Sequence, residues 1–223
     1  MLVATLVLFI ITRLETERLI HHHYAQKCDF FARYPIQPGE IVFLGDSITE
    51  GARWDELFPG RPVKNRGINA DTVDGVLCRL GDIISGQPAA VFILIGTNDL
   101  PWYMYHGNAI VLKTYAAILQ RLQSESPHTR VFVQSILPRH RMYARRIRGL
   151  NARLAQLAQR YGATYIDLFP HFAAPDGQLL PAITNDHLHL LADGYARWVE
   201  ILTPYLNGLE THAVEAPFTQ FTK

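Results

Sequence analysis

Ile41-Val-Phe-Leu-Gly-Asp-Ser47-Ile-Thr-Glu-Gly51 reads as a short, continuously apolar strand that runs into a Gly-Asp turn and leaves a serine hydroxyl just beyond it. Apolar runs of this length suit strands covered on both faces, as in a parallel sheet. In open α/β sheets reacting groups gather at the carboxyl ends of the strands, and a strand-to-helix turn there offers backbone N–H groups to an anion. Ser47 is therefore a candidate nucleophile. Asp46 and Ser47 are also residue types that commonly cap helices, so this stretch alone leaves both roles open.

Working outward, the same kind of run recurs at Ala90 to Ile95, Val131 to Ile136 and Thr164 to Leu168, with a shorter strand at Val63 to Asn65. Between them, Thr72 to Ile84, Ala109 to Ser124 and Arg145 to Tyr161 carry apolar residues at three- and four-residue spacing, the mark of helices with one buried face. A last helix spans about Leu191 to Asn207, and Gly162 is placed to end the helix before Thr164 in a left-handed conformation. This alternation predicts an α/β fold with a central parallel sheet. We divide the chain into an apolar segment and helical lead-in at 1–39, one domain at 40–207 and a tail at 208–223.

The chain of 223 residues is 48% hydrophobic and 18% charged with a formal net charge of +1, which gives no electrostatic reason to expect a nucleic-acid partner. The densest basic run, Arg139-His140-Arg141 with Arg145, Arg146 and Arg148, reads as a solvated loop and helix face. Cys28 and Cys78 have no metal-binding spacing and read as packing residues. His21, His22 and His23 are adjacent on a predicted helix, point in different directions, and so do not converge on one metal ion.

Met1 to Ile11 is almost wholly apolar yet shorter than a membrane span, and it lacks the basic start and small-residue cleavage site of a signal peptide. Three readings stay open: a short membrane-associating helix, a remnant of a secretory signal, or an element buried on the domain or in an oligomer such as a homodimer. The location of the protein is accordingly open between the cytoplasm and the periplasm or a membrane surface.

A serine hydroxyl needs a base to take its proton, and Asn185-Asp186-His187-Leu188-His189 offers two histidines behind one carboxylate. In a turn, Asp186 and His189 can meet, leaving the far ring nitrogen for Ser47, although His187 is a rival on geometry alone. Acyl transfer also needs donors aimed at an oxyanion, and Gly67 and Asn98, each just past a predicted strand, are of suitable type. Their alternatives are a conformational glycine and a turn or helix cap.

In order along the chain, Gly45-Asp-Ser47, Asn65-Arg-Gly67-Ile, Gly96-Thr-Asn98-Asp and Asp186-His-Leu-His189 resemble the blocks of the GDSL or SGNH hydrolase family over about residues 40 to 205. Within it the chain is most similar to the group related to catalytic subunits of platelet-activating-factor acetylhydrolase, through Asn65 to Thr72, Leu77, Arg79-Leu80, Ile136 to Arg139, Leu188 to Leu190 and Gly194-Tyr195. The resemblance implies a three-layer α/β/α flavodoxin-like fold and ester hydrolysis that needs no cofactor and no metal. It implies Ser47 as nucleophile, His189 rather than His187 as base with Asp186 behind it, and an oxyanion hole from the Ser47 and Gly67 N–H groups and Asn98. One departure is Ala70, where relatives often have a second glycine; it bears on substrate range.

The expected activity is a serine esterase that cleaves small acyl esters, acetyl foremost, through an acyl-enzyme. Carbohydrate O-acetylesterase, lysophospholipase and thioesterase activities are alternatives on the same site, and a non-catalytic binding subunit is the alternative of another class. Trp54, Asn69, Trp102 and Tyr103 are candidate pocket residues, and the partner expected is a small-molecule ester.

Overall fold

The computed structural model describes residues 2–101 and 107–209, with side chains at Thr5 and from Leu8 onward. Its elements are α1 (Leu2–Arg33), β1 (Ile41–Gly45), α2 (Ser47–Glu50), α3 (Trp54–Leu57), β2 (Val63–Gly67), α4 (Val73–Ser85), β3 (Ala90–Leu94), α5 (Asn108–Glu125), β4 (Arg130–Gln134), α6 (Ala144–Arg160), β5 (Thr164–Ile166), α7 (Phe169–Phe172) and α8 (Ala192–Asn207). Five parallel strands lie in the order β2-β1-β3-β4-β5. This is the flavodoxin-like order, whose strand sequence reverses direction between β1 and β3.

The apolar strands alternate their side chains between two cores, as the two-residue period of a strand requires. Val42, Leu44, Val91, Ile93 and Val133 pack against α4, α5 and α6. Ile41, Phe43, Phe92 and Phe132 pack on the other face against Trp54, Trp198, Leu202 and Leu206. Both faces are thus covered, which is why these strands are apolar throughout rather than alternating. Gly162 takes φ 69 beyond α6, as a helix-ending glycine should.

The strands end slightly earlier than the apolar runs that mark them, because Ile95, Ile136 and Leu168 continue into buried loop rather than the ladder. Two further features matter for the site. A four-residue helix, α2, begins directly at Ser47, and its N-cap is Asp46, whose carboxylate accepts the Ile48 N–H at 3.0 Å. The lead-in is one continuous helix of 32 residues. Its consecutive residues Leu8, Phe9, Ile10 and Ile11 are all exposed, and no described helix is long and apolar enough to cross a membrane. The carboxyl-terminal half of α1 lies on the domain, with Tyr24 donating its hydroxyl to the Gly75 carbonyl at 3.2 Å.

Candidate active site

The strand order places the loops after β1 and β3 on either side of the point where the sheet reverses direction, where open α/β sheets form a crevice at their carboxyl edge. Ser47 follows β1 and Asn98 follows β3. Ser47 Oγ lies 3.0 Å from His189 Nε2, and His189 Nδ1 lies 2.6 Å from Asp186 Oδ2. Asp186 Oδ1 accepts the N–H groups of Leu188 and His189 at 2.9 and 2.8 Å, which fixes the carboxylate within its own turn. Partial burial draws the Asp186 carboxyl upward, but the hydrogen bonds from the His189 ring and from the His189 and Leu188 N–H groups prevail and hold it down to about 2. The carboxylate therefore stays ionised behind the imidazole.

His187 is held at φ 60 and faces His140, ring centroids 6.0 Å apart, and it is His189 that meets Ser47. Of the two histidines that spacing leaves open, His189 is the one within hydrogen-bond reach of Ser47.

Around the serine, buried polar contacts fix the loops. The Asn65 amide nitrogen donates to the Thr49, Glu50 and Ala52 carbonyls at 3.1, 3.0 and 3.1 Å, sewing β2 to the end of α2. Buried Arg79 pairs with Asp71 at 2.8 Å and donates to the Gly45 carbonyl at 3.0 Å, tying the loop after β2 to the end of β1. Asn98 donates one amide hydrogen to the Asp71 carbonyl at 2.8 Å, which orients the side chain and leaves the second hydrogen for a ligand. Part of the basic run has a structural task here. Arg139 donates to the Thr97 carbonyl at 2.9 Å, and Arg146 donates to the carbonyls of Leu100 and Asp99, holding the Asn98 loop. Arg141, Arg145 and Arg148 are exposed, as a solvated face would be.

Gly67 requires a correction. Its N–H donates to Asn65 Oδ1 at 2.9 Å and the residue is buried, so this N–H is committed to the scaffold rather than to an oxyanion. The glycine serves packing: a Cβ there would sit 2.2 Å from the Glu50 nitrogen and 2.8 Å from the Asp46 carbonyl oxygen. Along the same loop, the N–H of Ile68 donates to the Gly45 carbonyl, Asn69 to Glu50 Oε2, Asp71 to the Ile68 carbonyl and Thr72 to Asp71 Oδ1. From Gly67 to Thr72, the N–H left without an acceptor among the described residues is that of Ala70, which has φ 61.

Trp54 also departs from expectation. It is buried, stacked on Phe43 at 3.7 Å and edge-on to Trp198 at 5.0 Å, so it fills the core beneath the site rather than walling a pocket. Trp102 and Tyr103 lie outside the described residues. Asn69 is exposed and, with His23, Ser47, Glu50 and Gly51, lines an open cavity of about 330 Å³. His23 and Glu50 were not expected in the site. The one sequence signal is that His23 and Lys27 are four residues apart and so share a helix face. Nothing local to that face says that it meets α2.

Asp46, beside the nucleophile, is fully buried with Oδ2 lacking a partner among the described residues. Burial pushes its carboxyl up to about 7; the Ile48 N–H opposes the rise, and the charges of Asp71 and Asp99 add to it. A carboxyl raised on folding stabilises fully below its unfolded pKa of about 3.9, and that contribution is lost as pH rises through about 7. Asp46→Asn keeps an oxygen for the Ile48 N–H and removes the titration. Its melting temperature should therefore fall less than the parent's between about pH 4 and 7; equal slopes would place the pH dependence elsewhere.

Comparison with known proteins bears on the family and the fold. The sequence model of the GDSL-like lipase/acylhydrolase family matches residues 43–197. A Streptococcus pneumonia protein provisionally described as a platelet activating factor is 26% identical, with 88% of this chain and 99% of that one covered and a TM-score of 0.80. A GDSL-like lipase from Bacteroides thetaiotaomicron is 24% identical over 83% of this chain and 97% of its own, with a TM-score of 0.73. A catalytic mutant of an acetylxylan esterase from Geobacillus stearothermophilus is 20% identical over 81% and 99%, with a TM-score of 0.62. The last two likenesses show a shared fold. No curated protein sequence matches the chain.

Proposed function

Because the chain belongs to the GDSL-like lipase/acylhydrolase family, we propose that it is a serine esterase that cleaves small acyl esters, acetyl foremost, through an acyl-enzyme on Ser47. The observation that carries this reading is the unbroken chain of contacts from Ser47 Oγ through His189 to Asp186, at 3.0 and 2.6 Å. Ser47 Oγ attacks the ester carbonyl carbon while His189 Nε2 takes its proton. Collapse of the tetrahedral intermediate expels the alcohol, which receives that proton. Water then gives a proton to His189 and attacks the acyl-enzyme, and the second collapse returns the proton to Ser47 and releases the carboxylic acid. The carboxylate of Asp186 holds the ring in the tautomer whose Nε2 can accept.

The oxyanion in this scheme is held by the Ser47 N–H, by Asn98 and, in place of Gly67, by the N–H of Ala70. The support for Ala70 is that its neighbours' donors are committed and its own is free. Asn98→Ala should lower kcat by about 10² to 10³ with little change in KM, the usual cost of one oxyanion donor. If Asn98 served only as a turn cap, melting temperature and activity would fall together and cooling the assay would restore turnover.

A second reading, carbohydrate O-acetylesterase, is favoured by the polar side chains of His23, Glu50 and Asn69 at the edge of the cavity, which suit a leaving group rich in hydroxyls. A panel of p-nitrophenyl esters of rising chain length, acetylated sugars, a lysophospholipid and an acyl-CoA tests both. Preference for acetyl over longer chains supports the first reading, and a further gain on acetylated sugars the second. No turnover on any member would favour a binding subunit.

A further inference from the structure

The turn that carries Ala70 is held by a cluster outside the nucleophile, base and oxyanion donors. Glu50 lies three residues after Ser47 on α2 and accepts the Asn69 N–H through Oε2 at 2.5 Å. The same carboxylate is gripped from α1: His23 Nε2 lies 2.9 Å from Oε1 and 3.1 Å from Oε2, and Lys27 Nζ lies 2.7 Å from Oε1. Glu50 is the most enclosed of the three, its side chain 17% exposed against 37% for His23 and 33% for Lys27. A cation, an imidazole and a backbone N–H thus converge on one partly buried carboxylate at the wall of the cavity that contains Ser47.

Two neighbouring features give this convergence a purpose. Ala70 is left-handed at φ 61, a conformation that residues bearing a Cβ seldom adopt unless the surroundings impose it. A four-residue helix such as α2 has little stability of its own, so its placement depends on what grips it. We infer that Glu50, clamped by His23 and Lys27 of α1, is a positioning residue that holds the Asn69–Ala70 turn in register with Ser47, so that α1 is an integral wall of the ester-cleaving site. The inference rests on the esterase reading above. It assigns to the lead-in helix a part in catalysis through residues 23 and 27, separate from its exposed apolar start.

The test uses the full chain and p-nitrophenyl acetate. Glu50→Ala should lower kcat about 10- to 100-fold with KM nearly unchanged, since misplacing a donor by about an ångström costs up to about 10². His23→Ala combined with Lys27→Met, which leaves Glu50 in place, should lower kcat in the same direction and less. The decisive arm is Ala70→Gly added to Glu50→Ala. Glycine takes a left-handed backbone without the Cβ penalty, so the double variant should recover most of the lost kcat and the rate of Ser47 phosphonylation by a fluorophosphonate. Parent-level kcat in Glu50→Ala, a change confined to KM, or a loss that Ala70→Gly leaves unrepaired would each overturn the proposal. Failure of the esterase reading looks different, because the parent itself would then neither turn over esters nor be labelled at Ser47.

Discussion

Ser47→Ala is expected to reduce ester hydrolysis by about 10⁴- to 10⁶-fold, the range seen when a serine nucleophile that works with a histidine is removed. The fold should persist. The half-buried Ser47 hydroxyl sits at the mouth of the site, α2 is capped by Asp46 rather than by Ser47, and deletion of one oxygen there leaves no core cavity. Steady-state turnover of p-nitrophenyl acetate beside a calorimetric melting temperature checks both halves. Turnover near that of the parent would remove Ser47 from the mechanism, and a large fall in melting temperature would show that the loss has a structural origin.

His189→Ala should be almost as damaging as loss of the serine, while His187→Ala should change kcat/KM by no more than about threefold, since general-base catalysis requires hydrogen-bond reach to the proton transferred. His189 has that reach at 3.0 Å, and the Asp186 carboxylate stands behind it at 2.6 Å. His187 instead pairs edge-on with His140. With its carboxyl held at about 2, Asp186 remains ionised at all pH values well above that. A fall of activity on mild acidification is therefore not its titration. Equal losses in the two histidine variants would contradict the geometry, as would inactivity of His187→Ala alone.

The parallel sheet was legible because its strands are apolar on both faces, and the positions of Ser47 and Asn98 just past β1 and β3, and of Asp186 and His189 before α8, follow from the same apolar runs and helix pattern. What the sequence concealed depends on where separate elements meet. Gly67 looks like a ligand-facing glycine, yet its missing Cβ admits the Glu50 backbone and its N–H is taken by Asn65. Trp54 falls seven residues beyond the nucleophile and looks like a pocket aromatic, but α3 turns it into the core against Phe43 and Trp198. His23 reads as one member of a polar triplet, and only the crossing of α1 over α2 brings it to Glu50. Ala70 appears conservative as a residue type; its backbone conformation, invisible in the sequence, is what makes it distinctive.

The most direct test of the account is covalent. Incubation of the full chain with a fluorophosphonate, followed by peptide mass spectrometry, should find a single adduct on Ser47, formed in proportion to the loss of esterase activity and absent from Ser47→Ala. An adduct on any other residue, or loss of activity without modification of Ser47, would contradict the assignment of Ser47 as the nucleophile.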